Sequence, residues 1–176
     1  MRIFFFPLPV TVAVDVAAWL LIQLGVSKIM ISIPKERFNP STWLFRERKW
    51  ERGGRTYETV FIKSWKDHLP DAGLWFKGGF QKKRLSSRST EFLERFVLET
   101  CRGELAHWVV MVPAPLFFLW NRPWVGGLMI AYALLGNLPC LLVQRYNRLR
   151  LTRLLAINKS GGFPKVFYPS PARGRG

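Results

Sequence analysis

Cysteine and histidine are nearly absent from this 176-residue chain, which holds two of each. Cys101 stands beside a charged stretch and Cys140 inside an apolar one. With no second pair, neither a thiolate metal site nor a disulfide framework is expected, and both read as small packing residues. No metal and no cofactor is implied. Acidic side chains are scarce too: 11 Asp and Glu face 27 Lys and Arg, a net charge of +16 at pH 7. That excess points to a partner of dense negative charge, either nucleic acid or anionic lipid. The signatures of nucleic-acid readers are missing, because there is no RRM aromatic box, zinc-finger spacing or helix-turn-helix pattern, and the arginines flank apolar runs. Membrane lipids, and no nucleic acid, are therefore the expected partners. Gly53-Gly54 has neither a Walker nor a dinucleotide context and reads as a turn. Ser86, Ser87 and Ser89 lack a G-x-S-x-G elbow, which leaves a serine-hydrolase mechanism without support.

What the chain has in quantity is apolar: 49% of its residues are hydrophobic and 15% aromatic. From Ile3 to Val26 the sequence is interrupted only by Pro7, Pro9, Thr11, Asp15 and Gln23, long enough to cross a bilayer as one helix. A cleaved signal peptide is the competing reading, weakened by the single Arg2 ahead of the run and by the lack of a clear cleavage site. Asp15 is costly facing lipid, so it should face other helices or an interface. Leu105 to Trp120 is apolar apart from His107, yet it carries Pro113 and Pro115 and is short for a straight span. It crosses with a kink or turns back halfway. After the loop signal Asn121-Arg122-Pro123, Trp124 to Val143 is again long enough to cross, interrupted by Gly136, Asn137 and Pro139.

The expected fold class is mainly α, an integral membrane helical protein with about three membrane segments and a small basic cytoplasmic segment. Residues 1–33 form the first transmembrane helix and 34–102 a cytoplasmic segment rich in basic and aromatic residues. A membrane hairpin of two helices follows at 103–144, and a basic cytoplasmic tail at 145–176. Within the cytoplasmic segment, Trp43, Trp50, Trp65 and Trp75 mix with charges of both signs, and Gly78-Gly79 marks a second turn. Thr56 to Ile62 alternates loosely enough for a short strand or hairpin. Ser89 to Arg102 reads as a helix with Ser89 or Thr90 as N-cap, continuing toward the membrane. Basic residues follow the first span and fill the tail, whereas the hairpin tip offers only Arg122. This asymmetry places both basic segments in the cytoplasm and the N-terminus outside, in a multi-pass cell-membrane protein.

Two constellations carry chemistry. In Cys101-Arg102-Gly103-Glu104-Leu105-Ala106-His107-Trp108, Glu104 and His107 are three apart and share a helix face. An imidazole beside a carboxylate is the pair that makes an oriented general base for a hydroxyl attacking an acyl carbonyl. The alternative is structural, with Glu104 bridging a nearby arginine and His107 a polar tip at the interface. The second cluster is Gln144-Arg145-Tyr146-Asn147-Arg148-Leu149-Arg150. If helical, it sets Asn137, Gln144 and Arg148 in one polar stripe, with Leu141 and Leu151 on neighbouring faces. Arg145, Asn147, Arg148 and Arg150, with Arg153 beyond, are candidates to bind the phosphates of an acyl donor or the acidic face of its carrier. Their other reading is the basic anchor that commonly follows a last span. The run Gln81-Lys82-Lys83-Arg84 reads as a solvated loop touching anionic headgroups.

Matching blocks in order along most of the chain resemble the glycosyl-4,4′-diaponeurosporenoate acyltransferases, which acylate the sugar of a glucosylated carotenoid in staphyloxanthin-type pigment synthesis. The blocks are R-x-E-L-x-H-W at Arg102 to Trp108, N-x-P at Asn137 to Pro139, and V-Q-R-Y-N-R-x-R-L-T-x-L-L at Val143 to Leu155. Weaker matches cover Ile33-Pro34, Phe38 and Trp65-Lys66. The glycine- and proline-rich end from Gly161 to Gly176 departs from the pattern and reads as a flexible tail. The resemblance implies transfer of a fatty acyl group from a thioester donor to a sugar hydroxyl of a membrane-dissolved glycoside. On that reading His107 is the general base, Glu104 its orienter, and Asn137 or Gln144 donate to the developing oxyanion. The alternative function is a non-catalytic membrane scaffold or lipid-binding partner of a biosynthetic complex. It predicts sensitivity at Gly126, Gly127 and Gly136 in place of His107. A transporter subunit is disfavoured by the few spans and the lack of a visible repeat.

Overall fold

The computed structural model describes residues 2–69 and 90–160. Trp75, Gly78-Gly79, the run Gln81 to Arg84, Ser86, Ser87, Ser89 and the end from Gly161 to Gly176 lie outside the described residues. Every regular element among the described residues is helical.

Helix α1 spans Leu8–Ser32. Proline stands in its first turn, where a missing N–H costs nothing, and Pro34 follows its end, where the residue before a proline is driven to extended geometry. Its 25 residues reach about 37 Å, enough for the hydrocarbon core of a bilayer. Leu20, Leu21, Leu24 and Ile29 are all exposed along it. The chain then makes 3-10 turns at Lys35–Arg37 and Lys49–Gly54, the short helices α2 (Arg55–Glu58) and α3 (Ile62–Trp65), and a last 3-10 turn at Lys66–His68. The glycine turn is real: Gly53 and Gly54 take φ of 63° and 96°, which glycine adopts without a side-chain clash.

The short strand expected at Thr56 to Ile62 is not formed. Tyr57 and Ile62 are both buried against Tyr146 and Leu149 of a later helix, and their five-residue spacing belongs to two helical turns around a corner. Strand alternation would have sent them to opposite faces.

Helix α4 runs from Thr90 to Met111, so the expected helix at Ser89 to Arg102 continues more than two turns further. It stops ahead of Pro113, and Ala114–Leu119 tightens into a 3-10 helix. Helix α5 then spans Pro123–Lys159, 37 residues that pass through Gly136, Asn137 and Pro139 without ending. Among the described residues two helices, α1 and α5, are long and apolar enough to cross a membrane. The expected middle span at Leu105 to Trp120 is not one helix, because the prolines divide it between the end of α4 and the 3-10 turn.

The packing fixes the directions. Asp15 receives hydrogen bonds from Trp120 Nε1 and Asn121 Nδ2, both at 2.7 Å, and Trp19 Nε1 reaches Met129 Sδ at 3.3 Å. Residue numbers rise together, so α1 and α5 run parallel and the chain between them must return across the same thickness. Trp19, Val110, Ala114, Phe117 and Ala133 form the core where these elements meet. Asp15 faces into the protein, toward the Trp120–Asn121 turn that precedes α5, at the wall of a groove of about 1090 Å³ between α1 and the start of α5. Cys101 is buried in another cluster with Phe38 and Phe45, and neither cysteine forms a disulfide.

Candidate active site

Helices α4 and α5 pack antiparallel along most of their lengths. Asn158 Nδ2 donates to Thr90 Oγ1 at 3.0 Å at one end, and His107 meets Asn137 at the other. Along α5, Asn137, Leu141, Arg145 and Arg148 recur every three or four residues and form the row turned toward α4. Asn137, Leu141 and Arg148 are buried, Arg145 and Gln144 half-buried. Two of the three residues of the expected polar stripe, Asn137 and Arg148, lie in this row, where Arg145 takes the place expected for Gln144 and Leu141 joins them instead of lying on a neighbouring face.

His107 Nδ1 lies 2.9 Å from Asn137 Oδ1. The Asn137 amide is held in one sense, because Nδ2 donates to the Ala133 carbonyl at 2.8 Å one turn earlier. Reversing the amide would set two carbonyl oxygens against each other. Asn137 Oδ1 is therefore an acceptor facing the ring, Nδ1 carries the hydrogen, and in the neutral imidazole the lone pair sits on Nε2. His107 is half-buried, Asn137 5% exposed.

Glu104, one turn before His107, is fully buried and has different partners. Its Oε1 accepts from Arg145 Nη1 at 2.8 Å, and its Oε2 is ion-paired with Arg148 Nη1. Arg145 forks onto a second buried carboxylate, with Nε 2.5 Å from Glu51 Oε1 and Nη2 3.1 Å from Oε2. It also donates to the carbonyls of Leu44 and Arg46 at 3.0 and 3.1 Å. Arg148 donates through Nε to the Phe45 carbonyl at 3.1 Å and covers the Phe45 ring at 5.4 Å, while its buried Nη2 has no hydrogen-bond partner among the described residues. Two carboxylates and two guanidiniums form a charge-balanced chain that ties α4 and α5 to residues 44–51. A buried network of this kind is costly to half-remove, since the surviving charge is left without its partner.

Glu51 also receives the Tyr57 hydroxyl at 2.5 Å and the Arg48 backbone N–H at 2.5 Å. Burial alone raises the Glu51 carboxyl. The hydrogen bonds from Arg145, Tyr57 and Arg48, together with the Arg145 charge, outweigh it and hold the group below the ordinary carboxylate value. Tyr57 is pushed above the ordinary phenol value by burial, by its bond to Glu51 and by the Glu51 charge.

Of the remaining candidates, Arg150 is exposed, with Nη1 3.3 Å from the Tyr146 hydroxyl and its guanidinium over the Tyr146 ring. Asn147 is half-buried. The structure thus joins His107 to Asn137, and Glu104 to Arg145 and Arg148. Glu51 and Tyr57 were not singled out from the sequence. Glu51 is 94 residues from Arg145, and no periodicity connects positions on separate elements.

The family model for glycosyl-4,4′-diaponeurosporenoate acyltransferase matches residues 41–157. Proteins named glycosyl-4,4′-diaponeurosporenoate acyltransferase from Staphylococcus aureus strains N315, USA300 and Newman are each 32% identical over 145 residues, covering 82% of this chain and 87% of theirs. The matched span contains both the His107–Asn137 pair and the Glu51–Arg145–Glu104–Arg148 network. No solved structure matches the chain.

Proposed function

The chain belongs to the glycosyl-4,4′-diaponeurosporenoate acyltransferase family, and from that premise we propose that it esterifies a sugar hydroxyl of a glycosylated carotenoid or related glycolipid with a fatty acyl group, using His107 as general base. That the chain is an acyltransferase follows from the family; the acceptor, the base and the membrane setting are our reading. The observation that carries the site is the 2.9 Å contact of His107 Nδ1 with an Asn137 oxygen whose own amide is anchored to Ala133.

Acyl transfer to a hydroxyl needs a base that takes the hydroxyl proton as the oxygen attacks the carbonyl. With Nδ1–H engaged by Asn137, the His107 lone pair lies on Nε2. Nε2 takes the sugar hydroxyl proton, the oxygen bonds to the thioester carbonyl carbon, and the tetrahedral intermediate expels the thiolate. The imidazolium returns the proton to the leaving sulfur, giving ester, free thiol and neutral His107. Asn137 keeps the ring in the productive tautomer and orientation, in place of the oxyanion role expected from its position alone. Gln144 remains the candidate donor to the oxyanion. Glu104 acts as the brace that sets α4 against α5 one turn away.

The membrane setting is supported by α1 and α5, each long enough to cross and each with exposed apolar side chains, among them Leu21 at 73% and Leu135 at 76%. Because α1 and α5 run parallel, the end of α4 and the 3-10 turn make the return pass. Basic residues gather where α1 and α5 end, which is the cytoplasmic side, with the N-terminus outside. A cytoplasmic thioester donor, carried by coenzyme A or by a carrier protein, meets that face, and the exposed Arg150 and Arg153 suit its acidic groups better than the internally committed Arg145 and Arg148. The lipidic acceptor reaches His107 from within the bilayer.

The test is mass spectrometry of lipid extracts from cells that make a glucosylated carotenoid acid, expressing this chain, its His107→Ala variant or neither. Acyl ester should form only with the unaltered chain, the variant falling by about 10²- to 10⁴-fold at matched membrane abundance. Equal ester with His107→Ala removes the histidine from the chemistry; no ester in any sample sends the search to a different acceptor.

A further inference from the structure

Phe61 is the feature of the fold that neither the site nor the core uses. Its backbone sits in the left-handed region at φ 54°, ψ 33°, where a bulky residue is rarely found and Gly or Asn would sit more easily. Its side chain is 76% exposed, and Val60 beside it is 51% exposed. The turn is firmly built. Phe61 N donates to the Glu58 carbonyl at 3.0 Å, and Ser64 N and Oγ both donate to the Phe61 carbonyl, at 2.9 and 2.8 Å. Trp65 Nε1 donates to the Val60 carbonyl at 3.0 Å. The chain thus holds a strained turn in place and sends two apolar side chains outward from it.

The height of that turn is fixed by its neighbour. Ile62 is completely buried and, with Tyr57, packs on Tyr146 and Leu149 of α5. The apolar run of α5 ends at Val143, so these contacts lie three and six residues beyond it, about 4 to 9 Å further along the axis. A headgroup layer is roughly 5–7 Å thick on each side of the hydrocarbon. The same stretch carries the exposed cations Lys49, Arg52, Arg55 and Lys63 and the exposed indoles of Trp43 and Trp50, the residue types that settle at an anionic lipid surface.

We propose that the Val60–Phe61 turn is a membrane wedge: the Phe61 ring inserts at the boundary between headgroups and acyl chains of the cytoplasmic leaflet, while the surrounding cations lie against anionic headgroups. The occupant of this apolar tip is lipid. The wedge holds residues 44–57, and through Glu51 and Arg145 the α4–α5 pair, at a fixed height relative to the bilayer. This inference rests on the membrane reading above, and the experiment separates the two.

Phe61→Cys and Leu21→Cys are each made in a Cys140→Ser background and labelled with bimane, the buried Cys101 being left in place. The labelled proteins are reconstituted into vesicles of equal phosphatidylcholine and phosphatidylglycerol, with and without lipid bearing a doxyl quencher high on the acyl chain or, in parallel samples, near its methyl end. Position 61 is exposed, so the label does not disturb the core, and retained acyl transfer by each labelled protein checks that it is folded. The wedge predicts blue-shifted emission at both positions and quenching at position 61 by the shallow doxyl lipid. Quenching at 21 with water-like, unquenched emission at 61 overturns the wedge and leaves the membrane reading intact. Blue-shifted but unquenched emission at 61 shows that protein, a second copy or a partner, covers the turn, and overturns it equally. No quenching at either position removes the membrane reading itself.

Discussion

His107 of α4 and Asn137 of α5 face each other across the helix pair, Nδ1 to Oδ1 at 2.9 Å, and the second arm of the asparagine amide is tied to Ala133. On the proposed mechanism the amide would act as a neutral counterpart of the carboxylate in a serine-type triad, holding the ring without adding a charge. Asn137→Ala should lower kcat by about 10- to 100-fold with KM little changed, less than loss of the base itself, worth roughly 10²–10⁴-fold. Asn137→Asp, which keeps an acceptor at Nδ1 and adds a negative charge, should retain more activity and shift the pH profile of kcat upward. Steady-state kinetics with a soluble acyl thioester would check both, and an unaltered pH profile for Asn137→Asp counts against contact in the working enzyme.

Glu104 should behave as a brace. Glu104→Gln leaves Arg145 with one carboxylate and Arg148 without its ion-pair partner, both largely shielded from water. Breaking one partner of such a network costs about 3–5 kcal/mol. Thermal unfolding of detergent-purified protein should show a clear fall in midpoint for Glu104→Gln and little change for His107→Ala. Equal midpoints for Glu104→Gln and the unaltered chain would sink the brace.

The glycines of α5 should separate. A Cβ at Gly126 comes 2.5 Å from the Phe118 ring, whereas at Gly127 and Gly136 it meets nothing within 4 Å. Gly126→Ala should destabilise by about 1–3 kcal/mol through overpacking, and Gly127→Ala and Gly136→Ala should be tolerated. Abundance and unfolding midpoint are the readouts. The scaffold reading of the sequence expects all three to be sensitive.

Acid should remove the stability that Glu51 contributes. Its carboxyl is held below the ordinary value of 4.5 in the folded chain. The stability it contributes is complete above the unfolded value, where both states are ionised. That contribution declines as pH drops below 4.5 and is gone once pH has fallen through the folded value. Unfolding midpoints measured from neutral pH downward should fall in that window, and Glu51→Gln should start lower and show a flatter decline. A Glu51→Gln curve parallel to the unaltered one would show that other groups govern the acid limb.

Much of the helix content could be read directly. The apolar run at Ile3 to Val26 enters α1 only from Leu8 onward, Trp124 to Val143 becomes part of α5, and the helix expected from Ser89 becomes α4. The turn at Gly53-Gly54 and the inward face of Asp15 were equally legible, because local composition and the cost of a carboxylate in lipid decide them. The strand at Thr56 to Ile62 misled because loose alternation over seven residues does not distinguish a half-buried strand from two helical turns packed on a third element. The break in the middle run was legible from Pro113 and Pro115, but not that its first part would be the end of the long helix α4 and its second a 3-10 turn.

By itself the sequence determined the long apolar helices, the basic excess at one end and the blocks that identify the family, since each depends on residues close together in the chain. It also placed Glu104 and His107 on one face of a helix, because the turn of the helix fixes neighbours three apart. Only the tertiary structure decided what each of them touches. His107 meets a residue 30 positions away and Glu104 one 41 positions away. Those meetings depend on the register of α4 against α5, which is set by side-chain packing along the whole pair.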